Sequence, residues 1–159
     1  MDIKKVEQMK NQSMNRLHLK ELKDQVIVIT GASSGIGLVT ARMAAEKGAK
    51  VVVAARNKGA LQELVYELKS KGHEAVWVAA DVGVEEDVLK IAETAILNFG
   101  GFDTWVNNAG VSIYGTTTEV SIKDMRRMFD TVFWGVVYGS RIAVEHYKTR
   151  GGPGAIINI

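Results

Sequence analysis

Residues Val26 to Gly37 read V-I-V-I-T-G-A-S-S-G-I-G. The apolar run Val26-Ile27-Val28-Ile29 is a buried-strand signal, Thr30 to Gly35 is a glycine- and serine-rich turn, and a helical stretch begins near Ile36. A strand that turns through glycines into a helix start puts unpaired backbone N–H groups and the positive end of the helix dipole at one point. A pyrophosphate docks there once small residues let the backbone approach it, so the loop reads as dinucleotide-binding. Gly31 permits the tight turn, Gly35 and Gly37 remove side chains that would block phosphate or helix packing, and Ser33 and Ser34 offer hydroxyls to phosphate. Ile36 completes the loop residues assigned to the cofactor.

Downstream of this loop, strand and helix signals alternate with short connections, the pattern of a parallel sheet with crossover helices. The first helix is expected over Gly35 to Lys47, closed by Gly48 at a left-handed C-cap. Lys50 to Ala55 is a second strand, and Val51-Val52-Val53 predicts burial on both faces. Leu61, Leu64, Val65 and Leu68 recur at helical spacing until Gly72. Ala75 to Ala80 is the third strand. Glu85, Glu86 and Asp87 suit the first turn of the next helix, whose apolar face is Val88, Ile91, Ala92, Ala95 and Ile96 and which ends at Gly100-Gly101. Phe102 to Val106 is the fourth strand. Ser121 and Asp124 form a capping-box pattern that opens a long helix to about Lys148, and Gly151-Gly152-Pro153-Gly154 separates it from a fifth strand, Ala155 to Ile159.

The fold expected is therefore α/β, a Rossmann-type doubly wound parallel sheet with strand order 3-2-1-4-5 between two helical layers. Residues 24–159 are expected to form the NAD(P)-binding Rossmann domain, incomplete at its C-terminus. Residues 1–23 carry six Lys or Arg against three acids and no strand pattern; they read as a solvated, partly frayed extension, the alternative being a membrane-surface or partner-binding helix.

A chain of 159 residues with 47% hydrophobic content supports one domain with a real core and not two. Its 20 basic and 18 acidic residues intermix, giving a net charge of +2 and no field that argues for nucleic acid. No cysteine is present, which excludes disulfides and thiolate chemistry and fits a cytoplasmic protein. No apolar stretch reaches the ~18 residues of a membrane span.

Further motifs fall at the C-terminal ends of the predicted strands, where open α/β sheets gather ligands. After the second strand, where a carboxylate would hold an adenosine ribose, the chain has Ala55-Arg56. A guanidinium there pairs with a 2′-phosphate, so NADP is expected over NAD. Asp81-Val82 follows the third strand, and Asn107-Asn108-Ala109-Gly110 the fourth.

With these residues in place the chain resembles the short-chain dehydrogenase/reductase family over about residues 22–159: Thr30 to Gly37 matches its T-G-x-x-x-G-x-G motif and Asn107 to Gly110 its N-N-A-G motif. The resemblance implies that Asp81 faces the adenine, that Ala109 and Gly110 pass beside the ribose and nicotinamide, and that Asn107 and Asn108 brace the fourth strand or touch the cofactor. It also implies NADP(H)-dependent hydride transfer between alcohol and carbonyl by a Ser, a Tyr-x-x-x-Lys pair and a relay Asn. No catalytic residue is assigned here. Tyr66, Tyr114, Tyr138 and Tyr147 are followed four residues later by Ser70, Thr118, Ile142 and Gly151, and the family's Ser would lie beyond Ile159. Its Asn-x-x-Gly pattern maps onto Val132 to Gly135, placing a valine, which can neither donate nor accept, at the relay position. The chain by itself is therefore expected to be inactive, with a small-molecule substrate only in a complete parent enzyme.

Other constellations read as structural. Ser121 is a helix cap, Ser112 and Ser140 have no base at a telling spacing, and His18, His73 and His146 read as surface residues without metal-ligand spacing. The stripe Phe129, Phe133, Trp134, Val137, Tyr138 reads as core, and the family resemblance implies that part of it serves a homo-oligomer interface through the 121–148 helix. Without its further strands the sheet would leave an apolar edge open to self-association. Two alternatives stay open: a non-catalytic dinucleotide-binding or interaction module, and another Rossmann-like class such as a methyltransferase, which the N-N-A-G motif disfavours.

Overall fold

The computed structural model describes residues 19–159. A 3-10 turn at Leu22–Asp24 leads into β1 (Val26–Thr30), α1 (Gly35–Glu46), β2 (Lys50–Ala55), α2 (Lys58–Ser70), β3 (Ala75–Ala79), α3 (Glu85–Phe99) and β4 (Thr104–Asn107). After a loop come α4 (Ile122–Phe129), a π-helical turn (Asp130–Trp134), α5 (Gly135–Arg150) and β5 (Ala155–Asn158). The strands form one parallel sheet in the order β3-β2-β1-β4-β5, as the alternating pattern predicts.

Side chains alternate across the sheet and so divide the core in two. Ile27, Ile29, Val51 and Val53 point to one face, where Ala41 and Ala45 of α1 and Leu61, Leu64 and Leu68 of α2 cover them. Val26, Val28, Val52 and Ala54 point to the other, covered by Val88, Ile91 and Ala95 of α3 and by Ala143 of α5. All five residues of β1 are buried, as a central strand with helices on both faces requires.

Several details depart from the sequence reading. β3 ends at Ala79, and β4 is regular only from Thr104 to Asn107, although Asp103 just before it already donates its N–H to the Val26 carbonyl at 2.8 Å and accepts the Val26 N–H on its carboxylate at 2.9 Å. Ile96 is 45% exposed, since it follows Ala95 onto the flank of α3. The long helix runs without a break from Ile122 to Arg150 and turns π-helical at Asp130–Trp134. Along it Phe129, Phe133 and Trp134 are exposed, with Phe129 tilted against Phe133 and Phe133 edge-on to Trp134, and only Tyr138 of the aromatic stripe packs against the core. Helical spacing identifies a shared face but not what lies opposite it.

His146 is a structural residue and not a surface one: its ring stacks on buried Phe102 with centroids 4.1 Å apart, and Nε2 accepts the Phe102 N–H at 3.2 Å. His73 is half-buried. His18 and most of the 1–23 extension lie outside the described residues. Its described end is tied to the domain, because Lys20 pairs with Asp103 at 2.9 Å and its carbonyl accepts from Gln25 Nε2 at 2.7 Å. Asp103 also receives the Arg150 guanidinium; burial alone would raise its carboxyl pKa, but the Val26 amide, Lys20 and Arg150 outweigh burial and lower it.

Candidate functional site

A cleft of about 430 Å³ opens at the C-terminal ends of β1 to β4. Its lining comes from the end of each strand and the turn that follows it: Gly31, Ser33, Ser34 and Ile36 at β1 and the start of α1; Ala55, Arg56 and Asn57 at β2; Asp81 and Val82 at β3; Asn108, Ala109 and Gly110 at β4. Four separate sequence motifs thus meet around one volume, since parallel strands deliver every β-to-α loop to the same edge of the sheet.

Gly31 has φ +66°, and a Cβ there would lie 2.7 Å from the Ala109 Cα, so turn and close approach both demand glycine. Gly37 is buried at the start of α1, where a Cβ would lie 2.5 Å from Asn108 Nδ2 and from the Gly31 carbonyl. Gly35 differs from its expected role: a Cβ there would meet nothing within 4 Å, and its positive φ of +56° is what favours glycine. Ser34 is the N-cap of α1 but its side chain makes no capping bond, which leaves the hydroxyl and the first N–H groups of the helix open to an anion.

A buried node joins the two central loops. The Thr30 hydroxyl donates to the Val106 carbonyl at 3.2 Å and accepts the N–H groups of Asn108 and Ala109 at 3.0 and 3.1 Å. Asn108 Nδ2 answers by donating to the carbonyls of Thr30 at 3.0 Å and Gly31 at 3.2 Å. Asn107 is buried and faces away: Oδ1 accepts Trp105 Nε1 at 2.8 Å, and Nδ2 donates to Asn158 Oδ1 at 2.9 Å and Ser140 Oγ at 3.2 Å. Through these bonds both asparagines brace β4. Asn107 locks β4 to β5 and α5, while Asn108 locks the glycine turn to β4.

Arg56 and Asn57 are exposed at the rim after β2. Asn57 caps α2 by accepting the Ala60 N–H at 3.1 Å. On the adjoining wall Asp81 Oδ1 accepts the Gly83 N–H at 3.0 Å, and its own N–H donates to Asp87 Oδ2 at 3.0 Å. The Asp81 amide and the Lys90 ammonium lower the Asp87 carboxyl pKa, so Asp87 orders the Asp81 loop beyond suiting the helix dipole. Thr131, from the π turn, also lines the cleft. Sequence reading missed Thr30 as a node, Asn57, Thr131 and the ion pair of Asp81 with Arg127. Only Asn57 carried a local signal, as an N-cap residue directly after Arg56.

Tyr66 and Tyr114 are exposed, and Tyr138 is half-buried against the core. Tyr147 is half-buried and donates its hydroxyl to the Ala155 carbonyl at 2.8 Å, and burial pushes its pKa well up, so it is a fixed donor and not a base. Val132 is 40% exposed in the π turn, while Gly135 of the same pattern is buried, where a Cβ would come 2.8 Å from Val82 Cγ2. Ser121 caps α4, accepting the Asp124 N–H at 3.1 Å. Among the described residues no cluster of three metal-ligating side chains occurs, and no helix is long and apolar enough to cross a membrane.

A glycine-turn cleft at the edge of a 3-2-1-4-5 parallel sheet defines a Rossmann-type nucleotide-binding protein. The chain belongs to the short chain dehydrogenase family, whose model matches residues 25–159. It is 72% identical over 144 residues to the uncharacterized oxidoreductase YxnA of Bacillus subtilis (strain 168), across 91% of this chain and 40% of that protein. It is 38% identical to 3beta-hydroxysteroid dehydrogenase 1 of Eggerthella lenta, across 87% of this chain and 54% of that one. Among solved structures, a short chain dehydrogenase/reductase from Burkholderia phymatum in complex with NAD matches with a TM-score of 0.85 at 34% identity, over 88% of this chain and 50% of that one. L-Sorbose reductase from Gluconobacter frateurii, complexed with NADPH and L-sorbose, matches with a TM-score of 0.79 at 36% identity, over 89% and 53%. The chain spans about half the length of the curated relatives it matches.

Proposed function

We propose that the cleft binds a nicotinamide dinucleotide, NADP(H) in preference to NAD(H), and that a protein carrying this domain transfers hydride between an alcohol and a carbonyl. The observation that carries the reading is the convergence of the Gly31–Gly37 turn, Arg56, Asp81 and the Asn108–Gly110 loop on one cleft. Residues 24–159 are the dinucleotide domain in this reading, and 1–23 an extension to it.

In this assignment Gly31, Ser33, Ser34, Gly35, Ile36 and Gly37 receive the pyrophosphate, and Arg56 the 2′-phosphate. Asp81 and Val82 border the adenine, and Ala109 and Gly110 the ribose and nicotinamide, while Asn107 and Asn108 hold the loops in place. One solved relative is in complex with NAD and another with NADPH, so the preference for NADP(H) rests on Ala55-Arg56. A guanidinium forms charge-assisted bonds to a phosphate that a ribose hydroxyl cannot match.

When bound, the dinucleotide supplies or accepts the hydride; this chain's residues bind and orient it. The proton handled with that hydride needs a group that titrates or relays in the cleft. Val132 offers none, and residues 1–159 contain no Tyr-x-x-x-Lys. The 159 residues by themselves therefore bind the dinucleotide without turning it over, and Val132 favours a non-catalytic binding module as the second reading.

Titration of the chain with NADPH and NADH, followed by nicotinamide fluorescence and by turnover on alcohol and carbonyl panels, tests both. Saturable binding with NADPH preferred and no turnover is the expected result. Turnover overturns the inactivity, and absence of binding overturns the cofactor assignment.

A further inference from the structure

The cation behind Asp81 is not used by the proposed function. Asp81 faces the cleft, yet both its carboxylate oxygens are already engaged: Oδ1 by the Gly83 N–H and Oδ2 by the Arg127 guanidinium. Arg127 arrives from α4, 46 residues downstream, and is not among the residues that line the cleft. The helix that carries it sits tightly on the Asp81 loop. A Cβ on Gly83 would come 3.2 Å from Asp130 Cβ, and one on Gly135 would come 2.8 Å from Val82. The Arg127 carbonyl in turn accepts the hydroxyl of Thr131, the π-turn residue in the cleft wall, at 3.2 Å. The Asp81 backbone is separately pinned through Asp87.

An ionised carboxylate has about four acceptor positions and no donor. Two are occupied here from outside the cleft, so those left accept a donor from within it. We propose that Arg127 is a positioning residue that sets the base specificity of the cleft. By holding the Asp81 carboxylate in one orientation, it selects a purine bearing an exocyclic amino group and rejects one with an oxo group at that place. The inference rests on reading the cleft as a dinucleotide site.

Discrimination is the property at stake, beyond affinity alone. Hypoxanthine has an oxo group where adenine has the amino group, but it keeps a neighbouring ring N1–H. A carboxylate free to rotate about χ1 and χ2 can follow that displaced donor, whereas one clamped by Arg127 and Gly83 cannot. The clamp converts a tolerant acceptor into a selective one.

The test measures dissociation constants of NADPH and of its hypoxanthine analogue on the full chain, for wild type, Arg127→Gln, Arg127→Lys, Asp81→Asn and the Asp81→Asn/Arg127→Gln double variant. Wild type is expected to favour NADPH by about 10-fold or more, the size of one hydrogen bond to a charged acceptor. Arg127→Gln should bring the ratio to within about 2-fold of unity, and Arg127→Lys should recover part of it. On Asp81→Asn, adding Arg127→Gln should leave the ratio unchanged, because Arg127 acts through Asp81. An Arg127→Gln variant that weakens both ligands equally and keeps the wild-type ratio overturns the proposal, as does a wild type that binds both ligands alike. Failure of wild type to bind NADPH at all is a different result and removes the dinucleotide reading itself.

Discussion

Replacing Thr30 with valine tests whether the two halves of the cleft are held by one hydroxyl. Valine fills the same space, so no cavity arises and the change isolates hydrogen bonding. Three bonds disappear: those accepted from Asn108 N–H at 3.0 Å and Ala109 N–H at 3.1 Å, and the longer one donated to Val106 at 3.2 Å. Thr30 is 2% exposed, but Asn108 and Ala109 are only half-buried, so water can partly replace the lost acceptor. At roughly 1 kcal/mol per bond, the loss is about 2–3 kcal/mol. Serine keeps the hydroxyl and loses one buried methyl, which costs about 1 kcal/mol. For a domain with a urea slope of about 2 kcal/mol per molar, valine should lower the unfolding midpoint by about 1–1.5 M and serine by about 0.5 M. Dinucleotide affinity should fall with valine and hold with serine, because only valine unties the Asn108–Gly110 loop from the glycine turn. The reasoning is refuted if the two variants share a midpoint, or if valine loses stability while binding NADPH as wild type does.

Arg56→Ala should weaken NADPH by about 10- to 100-fold and leave NADH nearly unchanged, read by fluorescence titration; an unaltered preference removes Arg56 from the 2′-phosphate site. Gly139→Ala would place a Cβ 2.3 Å from Asn107 Oδ1 and 2.5 Å from Trp105 Nε1. The bond between those groups breaks or α5 moves, so a loss of about 2–4 kcal/mol is expected in urea unfolding, with an altered tryptophan spectrum as its sign. Stability should also depend on His146. Burial and then the Arg150 charge lower its pKa below 6.5, so the unfolded chain binds the proton more readily and stability falls as pH drops below 6.5 towards the folded value. A His146→Gln variant, which still presents an acceptor to the Phe102 amide, should lose that slope; an identical pH profile would show that His146 does not titrate on unfolding.

The order of the strands, the place of the glycine turn and the convergence of its partner motifs were legible in the sequence because each depends on local chemistry. Val26 to Ile29 is short, β-branched and bounded by a glycine turn, which selects a buried strand; Gly31 answers to a backbone angle, and a βα rhythm admits few topologies. The same locality explains the capping of α4 by Ser121 and the end of α1 at Gly48, whose φ is +89°. Neighbours distant in sequence were not legible. Helical spacing put Phe129, Phe133 and Trp134 on a common face, but their exposure depends on what stands opposite, and nothing along α4 and the π turn encodes that.

By itself, then, the sequence determined that this chain builds a parallel sheet around a glycine-turn cleft, and which loops reach it. Only the tertiary structure decided how those loops are held: Thr30 bridging to residues 106–109, Asn107 reaching Asn158, Asp81 meeting Arg127, and His146 stacking on Phe102. These contacts join residues 44 to 79 positions apart. Spacing along a chain encodes the period of a helix or strand, whereas pairing across such distances exists only once the sheet has closed and brought the partners within a hydrogen bond's length.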